Sequence, residues 1–215
     1  MTQVFRRRTE LGVKLAVTAL ALGALGAVVF AASRVRADLD VARAVAQPIP
    51  FSHKHHVGDV GLDCRYCHTT VETSAFAGMP STQICLTCHS QLFSKAALLE
   101  PLRRSAASGR PIAWNRVHKL PDFVYFNHSI HVAKGVACSE CHGRIDQMPL
   151  TWRTSPLQMQ WCLACHRDPA PHLHPKDQVF TMGGPPPSSE EAALLARTLK
   201  LQGERRLTDC STCHR

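Results

Sequence analysis

The sequence predicts a mainly α-helical chain with extensive coil and low regular secondary structure, behind one N-terminal transmembrane helix. Three observations lead there. Residues 11–33 form an apolar stretch long enough to cross a bilayer. All ten cysteines fall in five copies of Cys-x-x-Cys-His. Between the copies no alternating apolar pattern reads as a strand.

The N-terminal element comes first. Leu11 to Ala32 is apolar apart from Lys14 and Thr18 and is rich in Ala, Leu, Val and Gly. Arg6, Arg7 and Arg8 precede it, so the positive-inside bias puts residues 1–10 in the cytoplasm and everything after Ser33 outside. A cleaved signal peptide is the competing reading, with Val35-Arg36-Ala37 as a tolerable cleavage site. The apolar run exceeds the usual signal core of about 7–15 residues, and Arg34 and Arg36 crowd that site, which favours a retained single-pass anchor. Residues 34–50 then read as a linker ending in Pro48 and Pro50.

The five motifs are Cys64–His68, Cys85–His89, Cys138–His142, Cys162–His166 and Cys210–His214. A Cys-x-x-Cys pair also suits half a zinc site, a redox dithiol or a disulfide framework. None of these requires a histidine directly after the second cysteine, and here all five copies have one. The pattern is the attachment signature of c-type heme. Cys64, Cys67, Cys85, Cys88, Cys138, Cys141, Cys162, Cys165, Cys210 and Cys213 would form thioethers to five heme c groups. His68, His89, His142, His166 and His214 would be the proximal iron ligands. Heme c is attached outside the bacterial inner (cytoplasmic) membrane, so a periplasmic heme domain agrees with the charge bias.

Residues 51–215 leave roughly 33 residues per heme in a stretch the size of one ordinary domain. Such a chain cannot enclose five macrocycles in a conventional core. The hemes themselves must form the core of this multiheme cytochrome c fold, with short helices and loops around them. Two segments outside the motifs read as helices. Ser90 to Arg104 continues out of a motif and stops near Gly109, and Ser189 to Leu201 follows the breaker Gly183-Gly184-Pro185-Pro186-Pro187. The formal charge of +9 does not imply a nucleic-acid partner. Five hemes would bring roughly ten propionate charges against up to about five from ferric iron. No basic patch interleaved with aromatics appears either.

The motif spacing runs short, long, short, long, and each short pair follows the same phrase. Phe51-Ser52-His53-Lys54-His55-His56-Val57 precedes the first pair and Phe126-Asn127-His128-Ser129-Ile130-His131-Val132 the second. Each pair also encloses a Met-Pro, at Met79 and Met148. This is a two-fold repeat of a diheme unit, residues 51–98 and 126–168, with a fifth heme appended at 210–214.

Eight histidines lie outside the motifs. His53, His56, His128 and His131 are the leading distal ligands, because residues three apart share a helical face and each pair could serve two irons. His118 is the natural fifth. Met148 is its main rival, with Met79, Met159 and Met182 behind it. His55, His172 and His174 read as solvent or propionate neighbours. Spacing alone leaves the pairing of distal ligands with irons open.

A catalytic multiheme enzyme keeps one iron open, whereas here every motif ends in His and enough ligands exist to close every iron. No Ser-His-Asp set, phosphate loop or convincing carboxylate pair is present. The chain therefore reads as a non-catalytic electron-transfer subunit of an oxidoreductase. The membrane helix has no acidic residue or histidine after Glu10 to accept a proton from quinol, which places quinol chemistry in other subunits. A stand-alone anchored multiheme quinol dehydrogenase feeding a periplasmic reductase is the alternative.

The phrases Phe51–Val57, Asp63–His68, Trp114–Val132, Asp146-Gln147-Met148-Pro149 and Leu207–Arg215 resemble the pentaheme membrane-anchored cytochrome c subunit of bacterial alternative complex III. The resemblance covers most of residues 51–215. It implies a respiratory quinol:acceptor oxidoreductase complex that replaces the cytochrome bc1 complex. Polytopic quinol-binding subunits, an iron–sulfur subunit and a monoheme cytochrome c would accompany this chain. A periplasmic cytochrome c, a copper protein or a terminal oxidase would take the electrons. The His-x-x-His elements also resemble the distal ligands of class III cytochromes c, which supports His53, His56, His128 and His131.

Overall fold

The computed structural model describes residues 6–39 and 41–214. Residues 1–5 of the expected cytoplasmic N-terminus, Asp40 in the expected linker, and Arg215 lie outside the described residues. The chain divides into two units, 1–40 and 41–215.

The first unit is one helix, α1 (Arg7–Leu39). Its Arg7–Ser33 portion is long and apolar enough to cross a membrane. At about 1.5 Å per residue those 27 residues exceed the roughly 30 Å hydrocarbon layer. The helix runs on through 34–39, where the sequence suggested a linker. Lys14 pairs with Glu10 one turn back, at 2.6 Å.

The second unit is helical and coil, and among the described residues it contains no strand. Three isolated bridges stand in for sheet, joining Val41 to Arg153, Ala44 to Trp152 and Val136 to Leu173. Its helices are α2 (Cys64–Cys67), α3 (Thr82–His89), α4 (Glu100–Ser108), α5 (His128–Ala133), α6 (Cys138–His142), α7 (Met159–Arg167), α8 (Ser189–Thr198), α9 (Glu204–Leu207) and α10 (Cys210–Cys213). Side-chain caps explain several starts. Asp63 accepts from the Arg65 amide before α2, Asp209 from the Ser211 amide before α10, and Ser188 from the Glu191 amide before α8.

The helix expected over Ser90–Arg104 does not form in one piece. Helix α3 ends at His89, turns follow, and α4 starts at Glu100 with Pro101 in its first turn. Proline lacks the amide hydrogen that a helix interior needs, so a helix begins at Pro101 and cannot run through it. The expected stop at Gly109 holds: its φ is +67°, the left-handed geometry that ends a helix. Helix α8 begins where expected and ends at Thr198, with Lys200 at φ +50°.

The apolar core is small. Among the described residues only Ile49, Val71, Leu102, Ala137, Met148, Leu173, Val179 and Ala192 are buried hydrophobics. Large side chains such as Phe93 and Phe123, 70 % and 64 % exposed, stand beside the motif histidines His89 and His214. The protein part alone does not fill its own interior.

The two repeats clasp each other reciprocally. The amide after the first histidine of each phrase bonds to a loop of the other repeat, Lys54 to the Met148 carbonyl at 3.0 Å and Ser129 to the Ser74 carbonyl at 3.2 Å. Gly58, in the single π-helical turn Lys54–Asp59, lies so close to the Asp146 carbonyl that a side chain would collide with it.

Candidate heme-binding sites

Each motif coils into one short helical turn, which sets both sulfurs and the following imidazole around a common space. No disulfide joins any of the ten cysteines. Among the described residues no three His, Cys, Asp or Glu side chains converge as a tetrahedral zinc site would require.

The imidazoles are oriented from behind. His68 Nδ1 donates to the Gly78 carbonyl at 2.7 Å, His89 to Leu92 at 3.0 Å, His166 to Leu207 at 2.8 Å and His214 to Phe123 at 3.0 Å. The histidines of the repeated phrase are held the same way. His56 Nδ1 donates to the Ser52 carbonyl at 2.9 Å and His131 to Asn127 at 2.7 Å, four residues back in each case. His128 Nδ1 donates to the Ala75 carbonyl and His53 Nδ1 shares a hydrogen bond with the Thr151 hydroxyl, both at 2.9 Å and both across the repeats. Occupying Nδ1 fixes the tautomer and leaves Nε2 for a metal.

Phenylalanine completes each phrase. Phe51 stacks on His56 at 4.3 Å and meets His53 edge-on at 4.9 Å. Phe126 repeats this on His131 at 4.5 Å and on His128 at 4.7 Å.

The spacing between rings tests whether iron fits. Metal–imidazole bonds of about 2 Å put the centroids of two axial rings about 6 Å apart. His56 and His89 stand 6.1 Å apart, His131 and His166 6.2 Å, and His128 and His142 6.4 Å, the last pair within 11° of parallel. Burial and then the neighbouring His68 push His53 down to about 4. Burial and then His118 and His128 push His142 down to about 3. Both are therefore neutral at pH 7, the form that offers a lone pair to iron. These residues fit heme.

The remaining candidates lie differently. His118 is 4.3 Å from His142 ring to ring, too close for an iron between them, with Nε2 3.3 Å from His142 Nδ1. It occupies the position that a backbone carbonyl takes behind the other four motif histidines. Met148 is 1 % exposed, in the apolar core, while Met79 and Met159 are 52 % and 61 % exposed. His55 sits on the surface 3.7 Å from Asp59. His172 and His174 grip Glu140 of the third motif at 2.7 and 3.3 Å. Sequence reasoning missed Thr151 and the carbonyls of Gly78, Ala75 and Leu207. Backbone groups leave no residue-type signal, and Thr151 is one of many threonines.

A family model described as cytochrome c7 and related cytochrome c matches residues 49–104 and 124–215. The chain belongs to that family. Its members carry covalent c-type heme, the group the site geometry fits. This cytochrome is also similar to the multiheme cytochrome c subunit of menaquinone reductase from Nitratidesulfovibrio vulgaris, 40% identical over 97 residues. That match covers 45% of this cytochrome and 45% of the relative, so the chain spans under half of the relative's length.

Proposed function

We propose that this cytochrome is the electron-transfer subunit of a membrane-bound, quinone-linked oxidoreductase, carrying five heme c groups. The observation that carries the reading is the set of opposed imidazoles at iron spacing, each tied at Nδ1. Heme supplies reversible one-electron chemistry at iron. The chain's part is to bind, orient and shield it. The ten motif cysteines anchor the hemes, and His68, His89, His142, His166 and His214 take the proximal positions. Opposite them we assign His53 to His68, His56 to His89, His128 to His142 and His131 to His166. Two histidines per iron from one chain leave no vacant position for substrate at those four sites, which supports relay over catalysis.

Helix α1 would anchor the heme domain on the periplasmic face of the inner membrane. The phrases resembling the alternative complex III subunit support quinol oxidation by polytopic and iron–sulfur partners, with a monoheme cytochrome c beside them. A periplasmic cytochrome c, copper protein or terminal oxidase would then be the acceptor. The similarity to a menaquinone reductase subunit supports a second reading, in which the same relay carries electrons toward the quinone pool. Gentle solubilisation of the membranes, affinity recovery of this chain and identification of its companions test both. Companions with a polytopic and an iron–sulfur subunit are expected, and quinol oxidation against quinone reduction by the recovered complex chooses the direction. Recovery alone with quinol oxidation intact would make the chain a quinol dehydrogenase in its own right.

A further inference from the structure

The five motifs follow one another along the chain but not in space. Within each repeat, one element carries two imidazoles that face two different motifs. His53 and His56 open the turn Lys54–Asp59, facing the first motif at His68 and the second at His89. Tyr66 of the first motif also hydrogen-bonds Thr87 of the second at 2.7 Å. In the other repeat, His128 and His131 lie on α5 and face the third motif at His142 and the fourth at His166.

The repeats meet through their first motifs, not end to end. Cys64 Sγ lies 4.0 Å from the Phe180 carbonyl, and the Cys138 amide donates to the adjacent Val179 carbonyl at 3.1 Å. His53 is held by Thr151 of the opposite repeat and His128 by Ala75 of the other.

The fifth motif joins at the far side of the fourth. The Leu207 carbonyl that holds His166 ends α9, and Thr212 inside the fifth motif donates to the Arg206 carbonyl at 2.7 Å. Exposure follows the same order: only Cys88 of the second motif and Cys210 of the fifth are exposed.

We infer that the five attachment sites form one unbranched row in the order second, first, third, fourth, fifth, with the second and fifth motifs as its ends. The inference rests on the heme reading above. It predicts which sites feel a charge change at their neighbour, because the interaction falls with distance and with screening. His53→Met in the full membrane-anchored protein should raise the potential of the first-motif heme. Potentiometry followed by electron paramagnetic resonance should then show shifts at the second and third hemes and none at the fifth. A shift confined to the second heme, with the third unmoved, would overturn the order. Should that variant fail to mature, His131→Met at the fourth site serves equally. It should shift the third and fifth hemes, and a response in the second without the third would overturn the order. Fewer than five hemes in the wild-type chain would instead sink the heme reading itself.

Discussion

His53 shows how the proposed ligands are held at the scale of one residue. Its Nδ1 hydrogen-bonds the Thr151 hydroxyl, which leaves Nε2 available for a metal. Thr151→Val keeps the shape and removes the acceptor. The expected cost is about 1 kcal/mol, with all hemes retained and the midpoint potential and magnetic anisotropy of one heme shifted. Redox-poised electron paramagnetic resonance checks this. His118 makes the opposite case. Its Nε2 lies 3.3 Å from His142 Nδ1, so with the His142 proton on Nδ1 it would accept that hydrogen bond. His118→Gln should leave the third-motif heme low-spin and shift its potential. A new high-spin signal would make His118 a ligand. The five Cys-x-x-Cys-His motifs were legible in the sequence because their spacing is fixed. The contact of His118 with His142 was not, since it joins residues 24 apart.

At the scale of elements, helices of four to ten residues cannot hold themselves together in water. Their caps and their hemes must do so. Ser188→Ala removes the oxygen that accepts from the Glu191 amide before α8 and should cost about 1 kcal/mol, read as a lower thermal midpoint with an unchanged heme spectrum. Gly58→Val drives a branched side chain into the Asp146 carbonyl where the repeats clasp. Overpacking of this kind costs about 1–3 kcal/mol, and denaturant melts of the holoprotein measure it. Helix α8 was readable because Ser188 and the proline breaker mark its start. The segment after α3 misled because continuation out of the motif and a stop at Gly109 were read without the proline that decides it, Pro101. The reciprocal clasp was invisible beforehand, although the repeated phrases that make it were plain.

For the whole molecule, the account rests on heme as the missing interior. Eight buried apolar side chains, among the described residues, are too few to organise 41–215 alone, and aromatic side chains stand exposed beside the motif histidines. The chain made without heme attachment should therefore lose most of its far-ultraviolet helix signal outside α1, which circular dichroism of a variant lacking α1 alongside the full chain would separate. Fold class and repeat number followed from composition and spacing. The row of sites did not, because contacts between distant segments set it. The most direct measurement is the intact mass of the purified chain together with its near-infrared magnetic circular dichroism. Five heme additions, no free thiol and bands of bis-histidine low-spin iron are expected. Fewer additions, titratable thiols, or a spectrum without bis-histidine bands would contradict the account.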